Sequence, residues 1–115
     1  MLNQIVMAGR LTGNPETKEL ENGKKVCYIT VAVPRSYKNV DGTYDTDFID
    51  CQLWNSIADT TAEYCQKGDI VGIKGRIETS KEYGEGNIAY KKMTIVAEKV
   101  SFLSSGKRNE NDKEE

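Results

Sequence analysis

Residues 47–68 read DFIDCQLWNSIADTTAEYCQKG, and within them a strand gives way to a helix. Side chains along a strand alternate between its two faces. From Asp47 to Trp54 one face carries Ile49, Cys51 and Leu53, and the other carries Phe48, Asp50, Gln52 and Trp54. The first set is core. The second is a solvent face, as Asp50 and Gln52 require, yet it holds two large rings. Beyond Trp54 the period changes: Asn55 or Ser56 can cap a helix in which Ile57, Thr61, Ala62 and Cys65 fall at helical spacing, and Lys67-Gly68 stops it. No other segment has a convincing helical period.

Outward from this stretch, strands dominate. Upstream, Asn3 to Leu11 is a short apolar run with Gly9 inside it, and Val26 to Val33 is rich in β-branched residues and follows the hairpin dipeptide Asn22-Gly23. Pro34, with no N–H to give, is expected to end that strand. Residues 35–46 then read as a protruding hairpin arm around Asp41-Gly42. Downstream, Ile70 to Glu78 carries Gly72 and Gly75, which predict strong curvature. A second arm has Tyr83-Gly84-Glu85-Gly86-Asn87 at its tip, and a long strand from about Ile88 to Leu103 is expected to bend or bulge midway. The order is three strands, one helix, two strands. That order fits an all-β fold with one helix, a five-stranded antiparallel OB barrel with protruding hairpin arms, rather than alternating β-α units.

The chain has 115 residues, enough for one domain, assigned here to 1–103. Residues 104–115 have no apolar side chain and are expected to form a short disordered polar tail. No stretch approaches a membrane span and the start has no secretory pattern, so a cytoplasmic protein is expected. The sequence has no histidine, which removes Ser-His and Cys-His nucleophiles and the commonest general base. Cys27, Cys51 and Cys65 read as small buried residues. No catalytic site, metal or cofactor is therefore expected. Asp41, Asp45, Asp47 and Asp50 crowd one region, but not at the spacing of a calcium loop, and a polar hairpin accounts for them.

Net charge is −2, and the tail carries −1 of it, so a polyanion site must be a local patch. Phe48 and Trp54 lie six residues apart on one strand face, on the order of 20 Å, which suits two well-separated stacked planar groups. Around them the sequence interleaves rings with cations. Arg35, Tyr37 and Lys38 are on the first arm, Lys74 and Arg76 share a face of the fourth strand, and Lys81 and Tyr83 are on the second arm. Rings that take bases and cations that take phosphates are what a single-stranded nucleic acid needs. Tyr28, Tyr64 and Phe102 lack such company and read as packing residues.

Four runs carry a resemblance: NQIVMAGRLTGNPE (Asn3 to Glu16), ITVAVPRSYKN (Ile29 to Asn39), TDFIDCQLWNSIADTTAEYCQKGDIVGIKGRI (Thr46 to Ile77) and VAEKVSFL (Val96 to Leu103). With them the chain resembles the bacterial single-stranded DNA-binding proteins, including short phage and competence-type members. The resemblance implies stacking by Tyr37, Phe48, Trp54 and an aromatic of the second arm, carried to Tyr83 although Glu82 stands at the expected place. It carries phosphate contact to Lys18, Arg35, Lys38, Lys67 and Arg76, while Asp50 stands where a neutral or basic residue is usual. It also implies a homotetramer.

The expected function is sequence-independent binding and protection of single-stranded DNA in replication, recombination, repair or uptake. Long members end in an acidic tip with a hydrophobic last residue. This chain finishes Asp112-Lys113-Glu114-Glu115, so recruitment of replication and repair proteins through the tail is not expected. Two rivals use the same residues: a protein-interaction OB module presenting Phe48 and Trp54 to a partner chain, and a metal-dependent nuclease built on the aspartates.

Overall fold

A computed structural model describes residues 1–106. In chain order it contains β1 (Ile5–Leu11), β2 (Thr17–Glu19), β3 (Lys25–Lys38), β4 (Tyr44–Trp54), α1 (Asn55–Tyr64), β5 (Ile70–Tyr83) and β6 (Ala89–Ser104). Neighbours run β1-β5-β6-β4-β3, and β3 returns to β1 through Arg10↔Ala32 and Leu11↔Val31, so five strands close into a barrel of the OB kind. The short β2 pairs with the start of β3 outside the ring.

The expected antiparallel barrel has one parallel seam, β4 with β6 at Cys51↔Ile95 and Gln52↔Val96. An odd ring of strands cannot alternate direction at every seam, so one parallel pair is unavoidable. Closure also brings backbones together. A methyl on Gly9 would stand 2.5 Å from the Ala32 carbonyl oxygen, and one on Gly75 would collide with the Val96 carbonyl. Glycine is required at both crossings because nothing larger fits. Inward residues of every strand of the ring, including Leu11, Ile29, Val31, Cys51, Leu53, Val71, Ile73 and Ala97, fill the interior, and Ala58 of α1 joins them.

Pro34 does not end its strand, which continues through it to Lys38. The β1–β3 pairing stops at Ala32, so past that point one edge of β3 is free and the missing N–H costs no ladder bond. A register shift between Pro34 and Lys38 marks the change. Neither expected residue caps α1. Trp54 occupies the cap with no side-chain bond, while Asn55, at φ 53°, turns its Oδ1 to accept the Lys25 N–H at 3.1 Å. The long β6 bulges as expected, its register skipping Glu98 and Leu103.

Buried Asp69 ties three segments together. Its Oδ2 accepts the Gln66 N–H at 2.9 Å, its Oδ1 the Gly106 N–H at 3.1 Å, and its carbonyl the Leu11 N–H at 2.9 Å. Of the tail expected from 104, Ser104 closes β6 and Gly106 is held by that carboxylate. Residues 107–115 lie outside the described residues.

Candidate nucleic-acid interface

The outer face of β3 and β4 is a continuous wall. Register places Ala32 beside Phe48, Thr30 beside Asp50, Tyr28 beside Gln52 and Val26 beside Trp54. Phe48 is 68% exposed, so its ring projects into solvent. Trp54 is half-buried. It stands across from Val26, which is itself buried, and its Nε1–H donates to Gln52 Oε1 at 3.2 Å. On the other side of Val26 comes Lys18 of β2, which puts that lysine in one cross-sheet row with Trp54. The same wall carries Tyr28, exposed rather than packed, because it occupies the outward phase of β3 while Cys27 and Ile29 occupy the inward one.

Each hairpin extends the wall as an arm. In the first, Asn39 Oδ1 accepts the Asp41 and Thr43 N–H groups and fixes the tip. Tyr37 is exposed, and the Lys38 ammonium lies 5.9 Å from the centre of the Tyr44 ring. In the second, formed by β5 and β6, Lys81 stands 6.0 Å from the centre of the exposed Tyr83 ring, with exposed Tyr90 across the hairpin. Cation–ring pairs at such distances are weak at exposed sites, so neither ring is withheld from a ligand.

The two arginines are engaged. Arg35 donates through Nη2 to Asp47 Oδ1 at 2.9 Å and through Nε to Asp47 Oδ2 at 3.1 Å, with Asp45 at 3.9 Å. The hydrogen bond from Arg35 holds the Asp47 carboxyl below its ordinary range, and the same contact raises the guanidinium. Arg76 donates to Glu78 at 2.9 Å through Nε and to Glu98 at 3.2 Å through Nη1. Its guanidinium is raised by Glu78 first.

The sequence model of the single-strand binding protein family matches residues 2–103. The chain is 39% identical over 103 residues to single-stranded DNA-binding protein B of Bacillus subtilis, covering 90% of this chain and 91% of that one. It is 37% identical to a single-stranded DNA-binding protein of Oceanobacillus iheyensis and 40% identical to one of Halalkalibacterium halodurans. There it spans only 65% and 61% of the longer relatives, against 91% and 90% of itself. The chain belongs to the single-strand binding protein family.

Within that family frame, the expected site residues divide. Register and hairpin bring Tyr37, Lys38, Phe48, Trp54, Arg35 and Lys18 to the β3–β4 wall and its arm. Arg76 joins the outer face in the row Tyr28–Gln52–Val96–Arg76. Lys81 and Tyr83 sit on the second arm. Lys67 stands on the turn beyond the far end of α1 from Trp54, its backbone N–H bonded to Asn14. Lys74 is not gathered with the rings: it pairs with Val6 and Lys99 on the outer face of β1, β5 and β6, lining a hollow with Ala8, Gly72 and Leu103.

Tyr64 and Phe102, read as packing residues, are exposed like Tyr28. Tyr28, Tyr44 and Tyr90 were missed as candidates. The alternation of Tyr28 and Thr30 with Cys27, Ile29 and Val31 was the available signal for the first. Asp45 and Asp47 are turned to Arg35 and Asp50 to Thr30, and among the described residues no three Cys, Asp or Glu side chains converge to hold a metal ion.

Proposed function

We propose that this protein binds and shields single-stranded DNA without strong sequence selection, as the family resemblance implies. Bases stack on Phe48, Trp54, Tyr37 and Tyr83, with Lys18, Lys38, Lys67, Lys81, Arg35 and Arg76 replacing counterions along the backbone. The observation that carries this reading is Phe48, projecting 68% exposed from a polar wall, with exposed Tyr37 and Tyr83 on the two arms. A large ring left in water forfeits roughly 1.5–3 kcal/mol of burial, and stacking on a base recovers about 1–3 kcal/mol.

The working form is a homotetramer in the cytoplasm. Supporting the assembly is the outer face of β1, β5 and β6, where Val6 is 72% exposed and Leu103 54% exposed around a hollow of about 590 Å³. A role for the protein in replication, recombination, repair or uptake follows from the ligand, since each exposes unpaired strands.

The test is a titration of labelled oligo-dT of defined length, read by anisotropy and by the mass of the complex, across a salt series. Wild type should bind with an affinity that falls as salt rises, and Phe48→Ala should weaken it by about 1–3 kcal/mol without loss of folding. Wild type that ignores the oligomer while capturing a protein partner through Phe48 would favour the interaction-module reading.

A further inference from the structure

One groove on the wet wall is unexplained by stacking alone. Tyr28, Thr30, Asp50 and Gln52 of β3 and β4 line it on one side and Lys92 and Met93 of β6 on the other, around about 360 Å³. That is room for one nucleotide base. Tyr28, 61% exposed, offers its ring there.

The polar groups beside that ring are held in a fixed order. Thr30 Oγ1–H donates to Asp50 Oδ1 at 2.5 Å, and Asp50 Oδ2 has no hydrogen bond among the described residues. Gln52 is oriented by its neighbour: the indole N–H of Trp54 can only donate, so the amide oxygen must face it, which leaves the amide NH2 as the free end. The groove therefore presents an acceptor, Asp50 Oδ2, and two residues further along the same strand face a donor, the Gln52 NH2.

A carboxylate on a surface that meets a polyanion weakens binding, unless bases give it protons to accept. Cytosine offers an exocyclic NH2 at one corner of its pairing edge and carbonyl O2 at the other, which matches acceptor then donor. Thymine puts carbonyl O4 at the first corner, where it faces the carboxylate, and its N3–H lies between two carbonyls. Carboxylate side chains accept from cytosine N4 in duplex grooves for the same reason.

We propose that this groove is a nucleotide subsite that prefers bases with an exocyclic amino group, cytosine over thymine, with Asp50 as the residue that sets the preference and Gln52 as its partner. Tyr28 supplies the stacking face and Lys92 the positive charge for the attached phosphate. The proposal rests on the single-stranded DNA reading above and adds a bias to it. The other platforms stay indifferent to sequence because every base has a π-face.

The experiment compares equal-length oligo-dC and oligo-dT on wild type, Asp50→Ala and Asp50→Asn, and reads the ratio of the two affinities rather than either alone. Removing a negative charge should tighten binding to both oligomers, so only the ratio reports the subsite. In Asp50→Ala it should move toward oligo-dT by roughly threefold to tenfold, the size of one good base contact. Asp50→Asn should move it the same way, since its NH2 can serve thymine O4. If both variants bind both oligomers and the ratio stays where wild type has it, the subsite is wrong and the general DNA reading stands. If wild type binds neither oligomer, the general reading fails and the subsite with it.

Discussion

Arg35 shows how much of the interface is decided by single side chains. Its guanidinium is claimed twice by Asp47, so a phosphate must compete with a carboxylate to reach it. Because Asp47 has a lowered folded pKa, the pairing is present above the ordinary carboxylate value of about 4 and is lost only as pH falls through the lowered one. Near neutrality the clamp is closed. Asp47→Asn should therefore raise affinity for oligo-dT at neutral pH and steepen the slope of log affinity against log salt by up to about 0.7, one added phosphate contact on a single strand. An unchanged slope would place Arg35 outside the DNA path.

The sequence could name Arg35 and the aspartates but not their pairing, which depends on the register Val33↔Asp47 across the hairpin. Phe48 was legible because Asp50 and Gln52 marked its face as wet. Tyr28 was set aside because it lacks the interleaved rings and cations of the arms, although its alternation with Cys27 and Ile29 marked it as outward.

Among the elements, the turn after α1 carries more than its length suggests. Asp69, 2% exposed, accepts two backbone N–H groups from segments far apart in the chain, Gln66 after the helix and Gly106 after β6. Asp69→Ala would leave those donors without their partner, at about 1–3 kcal/mol in a urea melt. An unmoved midpoint would show that water satisfies them equally well. Helix α1 itself was readable from Ile57, Thr61 and Cys65, because a 3.6-residue period stands out after a strand. Its cap was not, since Asn55 spends its carbonyl oxygen on Lys25, thirty residues away. Pro34 misled for a similar reason. Proline stops a strand only where a neighbour wants its N–H, and which edge is free is a property of the closed ring.

At the scale of the whole molecule, the five strands of the ring and their order were legible from hairpin dipeptides and apolar runs, whereas the short β2, the pairing of β4 with β6 and the closure of β3 on β1 were not. Both pairings join segments far apart in sequence, and only the glycines at the crossings left a trace. The result is a barrel with two unlike outer faces: a polar wall with rings and arms, and a face of β1, β5 and β6 with exposed Val6 and Leu103. Function follows from that division if the first face takes DNA and the second takes another copy of the chain.

Trp54 reports on the first face directly, because it is the sole tryptophan and sits half-buried at the foot of the wall between Val26 and solvent. Its emission should be quenched in a saturable manner as oligo-dT is added, and added salt should reverse the quenching. Emission that stays flat at saturating DNA would contradict the account.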